Sequence, residues 1–498
     1  MSVKSVRRGG GRAKCGGKMC RRVRRVRFGA PDASLTGRAG MVAVGEFVDK
    51  LGVVAALDTA IGAVKRRDRG MSAGQLLVGV ASAQLAGAGF WAHLDEQRTD
   101  QVVAEALTVP IPASTTAMGV AARFDEQHFS AVEAGVAEVV DRAVAMMSPE
   151  RRDRLAAAVT TDLDSSDVEV YGRRKQGVAY NYCGQRCGRP HLASWAEAGL
   201  TVAADLMAGN ADVRPVAAGL LGRALAAIPA PIRESAQQAG TLRVRADAGY
   251  FTAELATEAV AAGADFAIAA KRNTAMWRAY AGIDQDHWVA AIDMPGAQVA
   301  ACDYAPAGWP EGTYTLVRRV AVAADDISGD PRARRRRTIP ADQLKLALEG
   351  DLDQVYAVSF IVTNIPIYNT PTNGATLPAG ADTATSVEVW FRHRTDIEER
   401  IKEAKHGAAL GHLPSGKPQL NTVWMWAALL AMNISVLLQA LTDTDDQGRR
   451  HGPRLRRELI NIPARRIRHG RTLTWRLPPG ADLLPQVLTR IRELPAPT

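Results

Sequence analysis

Apolar residues recur at helical spacing from about residue 40 to residue 158. Segments such as GEFVDKLGVVAALDTAIG, MSAGQLLVGVASAQLAG and QHFSAVEAGVAEVVDRAVAMM each place their apolar side chains on one face of a helix. Strand-like alternation is scarce in this part of the chain. The pattern predicts a helical N-terminal domain over residues 31–154.

Near Leu155 the pattern changes to short strand-like runs, with a helix-like segment between two of them. The runs AAAVTTDLDSS, LTVAADLMAGN, TLRVRADAGY and ADFAIAAK are typical of strands, and FTAELATEAVAAG is typical of a helix. Such an alternation indicates an α/β layered domain. We place the first part of this α/β core at residues 155–271.

Residues 272–385 interrupt the alternation. They contain strand-like runs such as TYTLVRRVAVAA and VYAVSFIVTN, so we expect a mostly β insertion. Helical spacing returns at about Val387, and residues 386–442 are expected to complete the core. We expect the last segment, residues 443–498, to be a helical basic C-terminal region.

One segment resembles a membrane span. Thr422 to Thr442 is 21 residues without a charge, which is long enough to cross a bilayer. Asn433, Ser435 and Gln439 interrupt it, and a helix buried in a large core has the same composition. We favour the buried core helix and expect no membrane partner, with a membrane protein as the alternative.

The charge of the chain is unevenly distributed. Hydrophobic residues make up 47% and charged residues 23%, which excludes global disorder. Residues 1–30 hold 11 basic residues and no acid, and we expect a disordered basic tail there. Arg332 and Arg334–Arg337 add five bases, and residues 449–476 carry ten arginines against Glu458. The net charge of +10 therefore combines basic patches, which suit a polyanion, with an acidic remainder of 36 bases and 51 acids.

Cysteine usage excludes a secreted disulfide scaffold, because five cysteines are few and odd in number. Cys15 with Cys20, and Cys183 with Cys187 near His191, lack the usual spacing of zinc ligands. We favour reduced thiols without a metal. The basic N-terminus lacks the apolar run of a signal peptide, so export is not supported.

Aspartates follow two of the predicted strands. Asp162 and Asp164 lie two residues apart, so a strand places both on one face. Asp247 ends the run RVRADAG. Carboxylates at strand ends occupy the place where α/β folds bind ligands. Taken alone, such an aspartate is more often a turn former or a helix cap.

The helix-like segment FRHRTDIEERIKEAKHG carries a third acid. Arg394, Glu398 and Lys405 recur at spacings of four and seven, while Ile397 and Ile401 lie on the apolar face. Taken alone, a solvated helix face explains this pattern better. Together with the other acids and the basic patches it indicates a nuclease-like site, because carboxylates from distant segments can hold two Mg²⁺ or Mn²⁺ ions about 4 Å apart.

The same residues resemble a known family, the insertion-sequence transposases of the DDE type. Their signature is Tyr, two residues, Arg, three residues, Glu, six residues, Lys. It corresponds here to Phe391, Arg394, Glu398 and Lys405, with Phe in place of Tyr and all gaps retained. TTDLDSSDVEVYG and RVRADAGYF resemble the first and second Asp motifs. The resemblance runs from about residue 30 to 480 and is greatest to the 1380-type branch of the insertion-sequence-4-like group.

The resemblance implies an RNase H-like catalytic core with a β-rich insertion between the second Asp and the Glu. It implies that Asp164, Asp247 and Glu398 are the catalytic acids that bind two Mg²⁺ or Mn²⁺ ions. Asp162 is the alternative first acid. Small hydroxyl residues follow the first Asp in the family, which favours Asp164.

The resemblance also implies DNA contacts, and we expect the helical N-terminal domain, residues 31–154, to bind DNA. Arg394 and Lys405 would contact DNA near the transferred end, since a guanidinium and an ammonium suit phosphate oxygens. Further candidate DNA-binding residues lie beside them or in the basic C-terminal stretch: Arg392, Lys402, Arg465, Arg466 and Arg468. Insertion-domain tryptophans stack on a base in related enzymes, and the candidates here, which a core role also explains, are Trp277, Trp288 and Trp309.

The implied function is a cut-and-paste transposase. It would bind terminal inverted repeats, cleave the element ends and join them to target DNA, acting as a homodimer in a cytoplasmic, nucleoid-associated complex. The alternatives are a DDE-fold nuclease without strand transfer and a domesticated DNA-binding protein. Retention of all three acids disfavours the domesticated protein.

Overall fold

The computed structural model describes residues 28–65, 67, 69–368, 382–446 and 448–495, and two short strands, β1 (Lys14–Cys15) and β2 (Lys18–Met19). The basic tail predicted for residues 1–30 therefore lies almost wholly outside the described residues, as do Cys20 and the segment 369–381. Helices and strands alternate in a mixed α/β fold, as the sequence predicts.

The N-terminal region is helical, in agreement with its apolar spacing. Its helices are α1 (Met41–Leu51), α2 (Val53–Ile61), α3 (Ala73–Leu85), α4 (Ala92–Gln97), α5 (Gln101–Ala104), α6 (Ser114–Ala121), α7 (Glu126–Ala145) and α8 (Pro149–Ala157). Ser72 begins α3 with a capping box, in which its hydroxyl accepts from the Gln75 N–H and the Gln75 side chain accepts in return. The buried apolar faces of these helices continue into the core of the α/β region without a break.

A mixed sheet carries the centre of the protein. Its first strands are β4 (Val159–Ser165), β5 (Val168–Glu169), β6 (Ala179–Tyr180), β7 (Arg186–Trp195), β8 (Leu200–Ala208), β9 (Leu242–Ala246) and β10 (Asp265–Ala269). β4, β7 and β8 pair antiparallel, whereas β9 is parallel to β4 and β10 is parallel to β9. Parallel neighbours require crossover connections. The connecting helices are α9 (Arg214–Ala226) and α10 (Ala230–Gln238) before β9, and α11 (Ala253–Ala261) before β10.

The predicted insertion extends this sheet. Its strands are β11 (Val289–Ala290), β12 (Ala297–Cys302), β13 (Tyr314–Ala323) and β14 (Gln354–Thr363), with helices α12 (Thr274–Ala281) and α13 (Ala341–Glu349) between them. β14 pairs antiparallel with β10, and β13 and β12 follow outward. The expected strands are present, but helices and 3-10 turns separate them, so the segment is mixed, and its strands continue the core sheet.

Two helices follow where the sequence suggests one. α14 (Ala384–Arg392) ends just before His393, and α15 (Thr395–Gly407) begins after Arg394. The N–H of Arg394 donates to the carbonyl of Phe391, a tightened turn that separates the helices. The far end of α15 is fixed by a close backbone approach, because a Cβ on Gly452 would lie 2.3 Å from the Cα of Gly407.

The long uncharged segment forms α16 (Pro418–Leu441). This helix is apolar enough and long enough to cross a membrane, but its most apolar stretch is entirely buried inside the protein. Asn433 on this helix accepts from the Thr201 N–H (3.0 Å) and donates to the Thr201 carbonyl (2.8 Å). Thr201 lies on β8 beside a shift in the register with β7. The amide therefore satisfies the backbone groups that the irregular pairing leaves free.

The C-terminal region differs from the expected helical one. After α17 (Gly452–Leu455) and a π-helical turn (Arg456–Ile460), β15 (Ala464–His469) and β16 (Thr472–Arg476) form a hairpin, which pairs with β3 (Leu35–Thr36) and precedes α18 (Leu483–Glu493). Gly470 begins the two-residue loop with a φ of +59°, a conformation that glycine adopts without strain. The prediction of helix is wrong for residues 464–476, because this turn and the β-branched and aromatic residues of TLTW favour strands.

We expect Asn433→Leu to lower the free energy of unfolding by about 2–4 kcal/mol, because it leaves two buried backbone groups without partners. Urea denaturation measures the loss. Ser435→Ala is the matched control, since the buried Ser435 hydroxyl has no hydrogen-bond partner among the described residues. Equal losses in the two variants would contradict the role assigned to Asn433.

Candidate active site

Asp164 and Asp247 lie next to each other at the ends of adjacent parallel strands. Asp164 is the penultimate residue of β4, and Asp247 directly follows β9. Leu163 pairs with Ala246, so the next residue on each strand is one of the two aspartates. Two carboxylates thus lie at the carboxyl edge of the sheet, the edge at which α/β folds bind ligands.

Local hydrogen bonds orient both carboxylates. Oδ1 of Asp247 accepts from the Gly249 N–H at 2.8 Å, which begins a 3-10 turn at Ala248–Tyr250. Oδ1 of Asp164 accepts from the Ser165 N–H at 2.7 Å. In each residue the second carboxylate oxygen is left for another partner.

Glu398 reaches this edge from the first turns of α15, and Arg394 connects it to the first aspartate. The Arg394 guanidinium lies 3.5 Å from Oδ2 of Asp164 and 3.8 Å from Oε1 of Glu398. The Glu398 side chain is 59% exposed, while that of Asp164 is 13% exposed. Asp164 and Glu398, which lie on segments distant in the sequence, thus share one guanidinium, and Asp247 follows the strand beside Asp164.

The charge of this site favours a bound cation. Burial, reinforced by the carboxylates of Asp247 and Glu398, raises the pKa of Asp164 to about 6, although Arg394 and the Ser165 N–H act in the opposite direction. Carboxylate oxygens are the ligands preferred by Mg²⁺ and Mn²⁺. The residues present therefore fit a divalent ion.

The three acids are not drawn together as tightly as metal ligands. Within the described residues, the one trio of His, Cys, Asp and Glu whose ligand atoms all lie within 4.8 Å of one another is Asp284, Asp286 and His287, all exposed. Cys183 is exposed and Cys187 is buried, and neither belongs to such a group. The geometry gives no support to zinc at the cysteines.

Asp162, the alternative first acid, is already paired. Its oxygens accept from Nε and Nη2 of Arg245 at 2.6 and 2.8 Å, and the Asp162 and Arg245 side chains are 1% and 3% exposed. Arg245 also donates to the Trp390 carbonyl at 2.5 Å and lies 5.0 Å from the Trp390 ring. This pair connects β4 and β9 beneath the aspartates, and it favours Asp164 as the first acid.

The comparisons with known proteins identify the family. The model of the family described as transposase DDE domain group 1 matches residues 20–328 and 348–496, which is most of the chain. The chain belongs to this DDE transposase family. Such transposases generally depend on divalent metal ions, and the acid-rich edge described above agrees with that requirement.

Other comparisons add little. The transposase is similar to a solved piggyBac transposase in a synaptic complex with hairpin DNA, with a TM-score of 0.39 and 7% identity, over 84% of this chain and 79% of that chain. A likeness at this level adds nothing to the assignment of the site. No curated protein matches the chain.

The other candidate DNA-binding residues in and beside the signature of the transposase have different surroundings. Nζ of Lys405 donates to Oγ of Ser166 at 2.6 Å and to the Asp167 carbonyl at 2.8 Å. Arg392 donates to the buried Glu388 and to the Ile292 carbonyl. Lys402 is exposed on α15. Lys402 therefore offers the most accessible charge of the three.

The basic C-terminal stretch divides into internal and exposed arginines. Arg449 donates to the buried Glu403 at 2.5 Å, and Arg456 donates to the carbonyls of Leu85 and Gly407. These two side chains connect the C-terminal region to α15 and to the end of α3. The hairpin arginines are more accessible.

Three hairpin arginines were candidates for DNA contacts. Arg465 lies 3.2 Å from Asp32 and is 62% exposed, and Arg466 pairs with Glu105. Arg468 is exposed and makes no ion pair within the described ranges. All three lie on β15, on an edge hairpin that projects basic charge.

The candidate stacking tryptophans are not equivalent. Trp288 is buried, with the Arg319 guanidinium 4.0 Å from the centre of its ring. Trp277 is partly exposed and packs edge-on against Phe360. Trp309 is partly exposed and packs against Phe251, four residues after Asp247, with ring centres 4.9 Å apart. Trp309 thus packs against the second aspartate motif RVRADAGYF through Phe251.

Sequence reasoning did not identify Arg245, nor Ser166 and Asp167 as partners of Lys405. The signal for Arg245 was present, because alternation along RVRADAG places it on the face of Asp247. The contact of Lys405 depends on the approach of α15 to β4, which no local pattern encodes.

We expect Asp162→Asn to destabilise the transposase by about 3–5 kcal/mol, because Arg245 would remain charged and buried without its partner. Denaturation in urea checks this loss. Asp212→Asn, which removes the exposed partner of Arg214, should cost about 1 kcal/mol or less. A similar small loss for Asp162→Asn would show that the buried pair does not support the fold.

Proposed function

We propose that this chain is a cut-and-paste transposase that cleaves the ends of its element and joins them to target DNA at one acidic site. The observation that carries the proposal is the placement of Asp164 and Asp247 at adjacent strand ends, with Glu398 connected to Asp164 through Arg394. Both reactions are phosphoryl transfers, which depend mainly on positioning and on the neutralisation of charge.

An RNase H-like core is part of the proposal. Its support is the strand order β8-β7-β4-β9-β10, in which an antiparallel trio continues into two parallel strands. Asp164 and Asp247 lie at the carboxyl ends of the central strands β4 and β9. The proposed layout keeps the helical N-terminal domain, the core, the insertion and the basic C-terminal region as functional units.

In this proposal Asp164, Asp247 and Glu398 hold two Mg²⁺ or Mn²⁺ ions. Two ions in such a site activate the attacking oxygen and stabilise the leaving oxygen of a phosphodiester. The protein contributes the fixed carboxylates of Asp164 and Asp247, which the turns that follow them orient. Arg394 holds Glu398 toward Asp164 and presents a guanidinium that suits a phosphate oxygen.

DNA is the proposed partner, both as terminal inverted repeats and as target. The accessible cations Lys402, Arg465 and Arg468 would contact its phosphates, and Arg392 and Arg466 would contribute after exchange of their present partners. Trp309 is the favoured stacking residue because it lies beside Phe251 near the second aspartate motif. Synapsis of two element ends implies a homodimer on DNA.

We place the chain in the 1380-type branch of the insertion-sequence-4-like transposases, on the motifs around Asp164, Asp247 and Glu398. A nucleoid-associated location in the cytoplasm follows from this function. A DDE-fold nuclease without strand transfer is the competing function, and it would use the same acids.

The test is a cleavage and strand-joining assay on the element ends with Mg²⁺. We expect Asp247→Asn and Glu398→Gln each to reduce cleavage and joining by at least about 100-fold, because each removes a charged ligand oxygen. DNA binding measured by gel shift should persist in both variants.

Glu399→Gln is the matched control, since Glu399 is an exposed neighbour of Glu398 on the same helix. It should retain activity close to that of the unmodified protein. Cleavage that survives Glu398→Gln but not Glu399→Gln would overturn the assignment of the third acid. Cleavage without joining under all conditions would favour the nuclease.

A further inference from the structure

The turn that follows Asp164 is attached to the helix that carries Glu398. Ser166 and Asp167 belong to this turn, and both accept from Nζ of Lys405, through Oγ of Ser166 at 2.6 Å and the Asp167 carbonyl at 2.8 Å. Lys405 lies on α15, two turns after Glu398. A single ammonium therefore joins the two segments that supply the first and third acids.

The same turn is held from the sheet on its other side. The Asp167 carboxylate accepts from Nε of Arg189 at 2.7 Å and from Nδ2 of Asn181 at 2.7 Å. Arg189 lies on β7, the antiparallel neighbour of β4. The turn is thus held by hydrogen bonds from both β7 and α15. A substitution of Lys405 would remove the bonds from α15 and leave those of Asp167 with Arg189 and Asn181.

The surroundings of Lys405 favour an internal role over a phosphate contact. Its side chain is half-buried, and burial lowers its pKa despite the nearby Asp167 carboxylate. Two of its three N–H donors are already used. A phosphate could use only the third donor unless one of these bonds were lost, and each is a charged hydrogen bond worth about 1.5–3 kcal/mol.

We propose that Lys405 is a positioning residue, which ties the Ser166–Asp167 turn to α15 and so sets the placement of Asp164 relative to Glu398, and that it is not a ligand of DNA. This inference rests on the proposed function, in which those two acids hold metal ions. It assigns to a lysine of the signature a task different from that of the exposed Lys402.

The first arm of the test measures Mn²⁺ affinity of the DNA-free full-length protein by electron paramagnetic resonance. Removal of a positive charge near acids would by itself strengthen cation binding. A positioning role predicts the opposite, and we expect Lys405→Met to weaken Mn²⁺ binding about tenfold, as the loss of an outer-shell support does. Ser166→Ala, a milder change, should weaken it less.

The effects of Lys405→Met and Ser166→Ala on Mn²⁺ affinity should also be coupled. If Lys405 acts through Ser166, the double variant should bind Mn²⁺ no more weakly than Lys405→Met alone. Additive losses would show that the two residues act separately and would contradict the proposed tie. Circular dichroism and thermal unfolding establish that the variants fold, and Ser166→Ala provides the measurement if Lys405→Met does not.

The second arm measures the salt dependence of binding to a fixed DNA duplex. A lysine that contacts one phosphate contributes about 0.9 to the slope of log K against log salt. We expect Lys405→Met to leave this slope unchanged, whereas Lys402→Met should reduce it by about 0.9. A reduction of that size in Lys405→Met, or an unchanged Mn²⁺ affinity, would overturn the inference.

The Mn²⁺ affinity of Asp164→Asn distinguishes a failure of the proposed function from a failure of this inference alone. If Asp164→Asn leaves Mn²⁺ affinity unchanged, the acids do not form the metal site, and both the proposed function and this inference are wrong. If Asp164→Asn weakens Mn²⁺ binding while Lys405→Met does not, the inference alone is wrong.

Discussion

The parallel pairing of β4 with β9 brings Asp164 and Asp247 side by side, and the other parts of the site are arranged around that pairing. Leu163 opposite Ala246 sets the register, so the carboxylates emerge together at one edge of the sheet. A shift by one residue would turn one of them to the other face. The Asp162–Arg245 pair spans the same two strands and resists such a shift, because a buried charge without its partner is costly.

Cations of the chain itself balance the acidic centre. Arg245 neutralises Asp162, Arg394 lies between Asp164 and Glu398, and Lys405 holds the adjacent turn. The excess of positive charge in the sequence is therefore divided between two tasks. Some cations, including Arg449 and Arg456, hold segments together, and Arg465 and Arg468 on the β15–β16 hairpin are exposed to a polyanion.

Much of the fold could be predicted from local pattern. Helical spacing located the N-terminal helices, and alternation located β4 and β9 with their terminal acids. The resemblance of FRHRTDIEERIKEAK to the family signature also indicated Glu398, and α15 carries it toward Asp164. The hairpin at residues 464–476 was missed because arginine suits helices and strands alike, and Gly470 decides between them. Which cation meets which acid depends on long-range packing, which sequence periodicity does not contain.

If Asp164, Asp247 and Glu398 together form the metal site, anomalous diffraction from crystals of the protein with Mn²⁺ and DNA should locate the ions there. We expect manganese peaks bounded by the carboxylates of these three residues, with Arg394 displaced from between Asp164 and Glu398. Peaks at the exposed group Asp284, Asp286 and His287, with none at the sheet edge, would contradict this expectation.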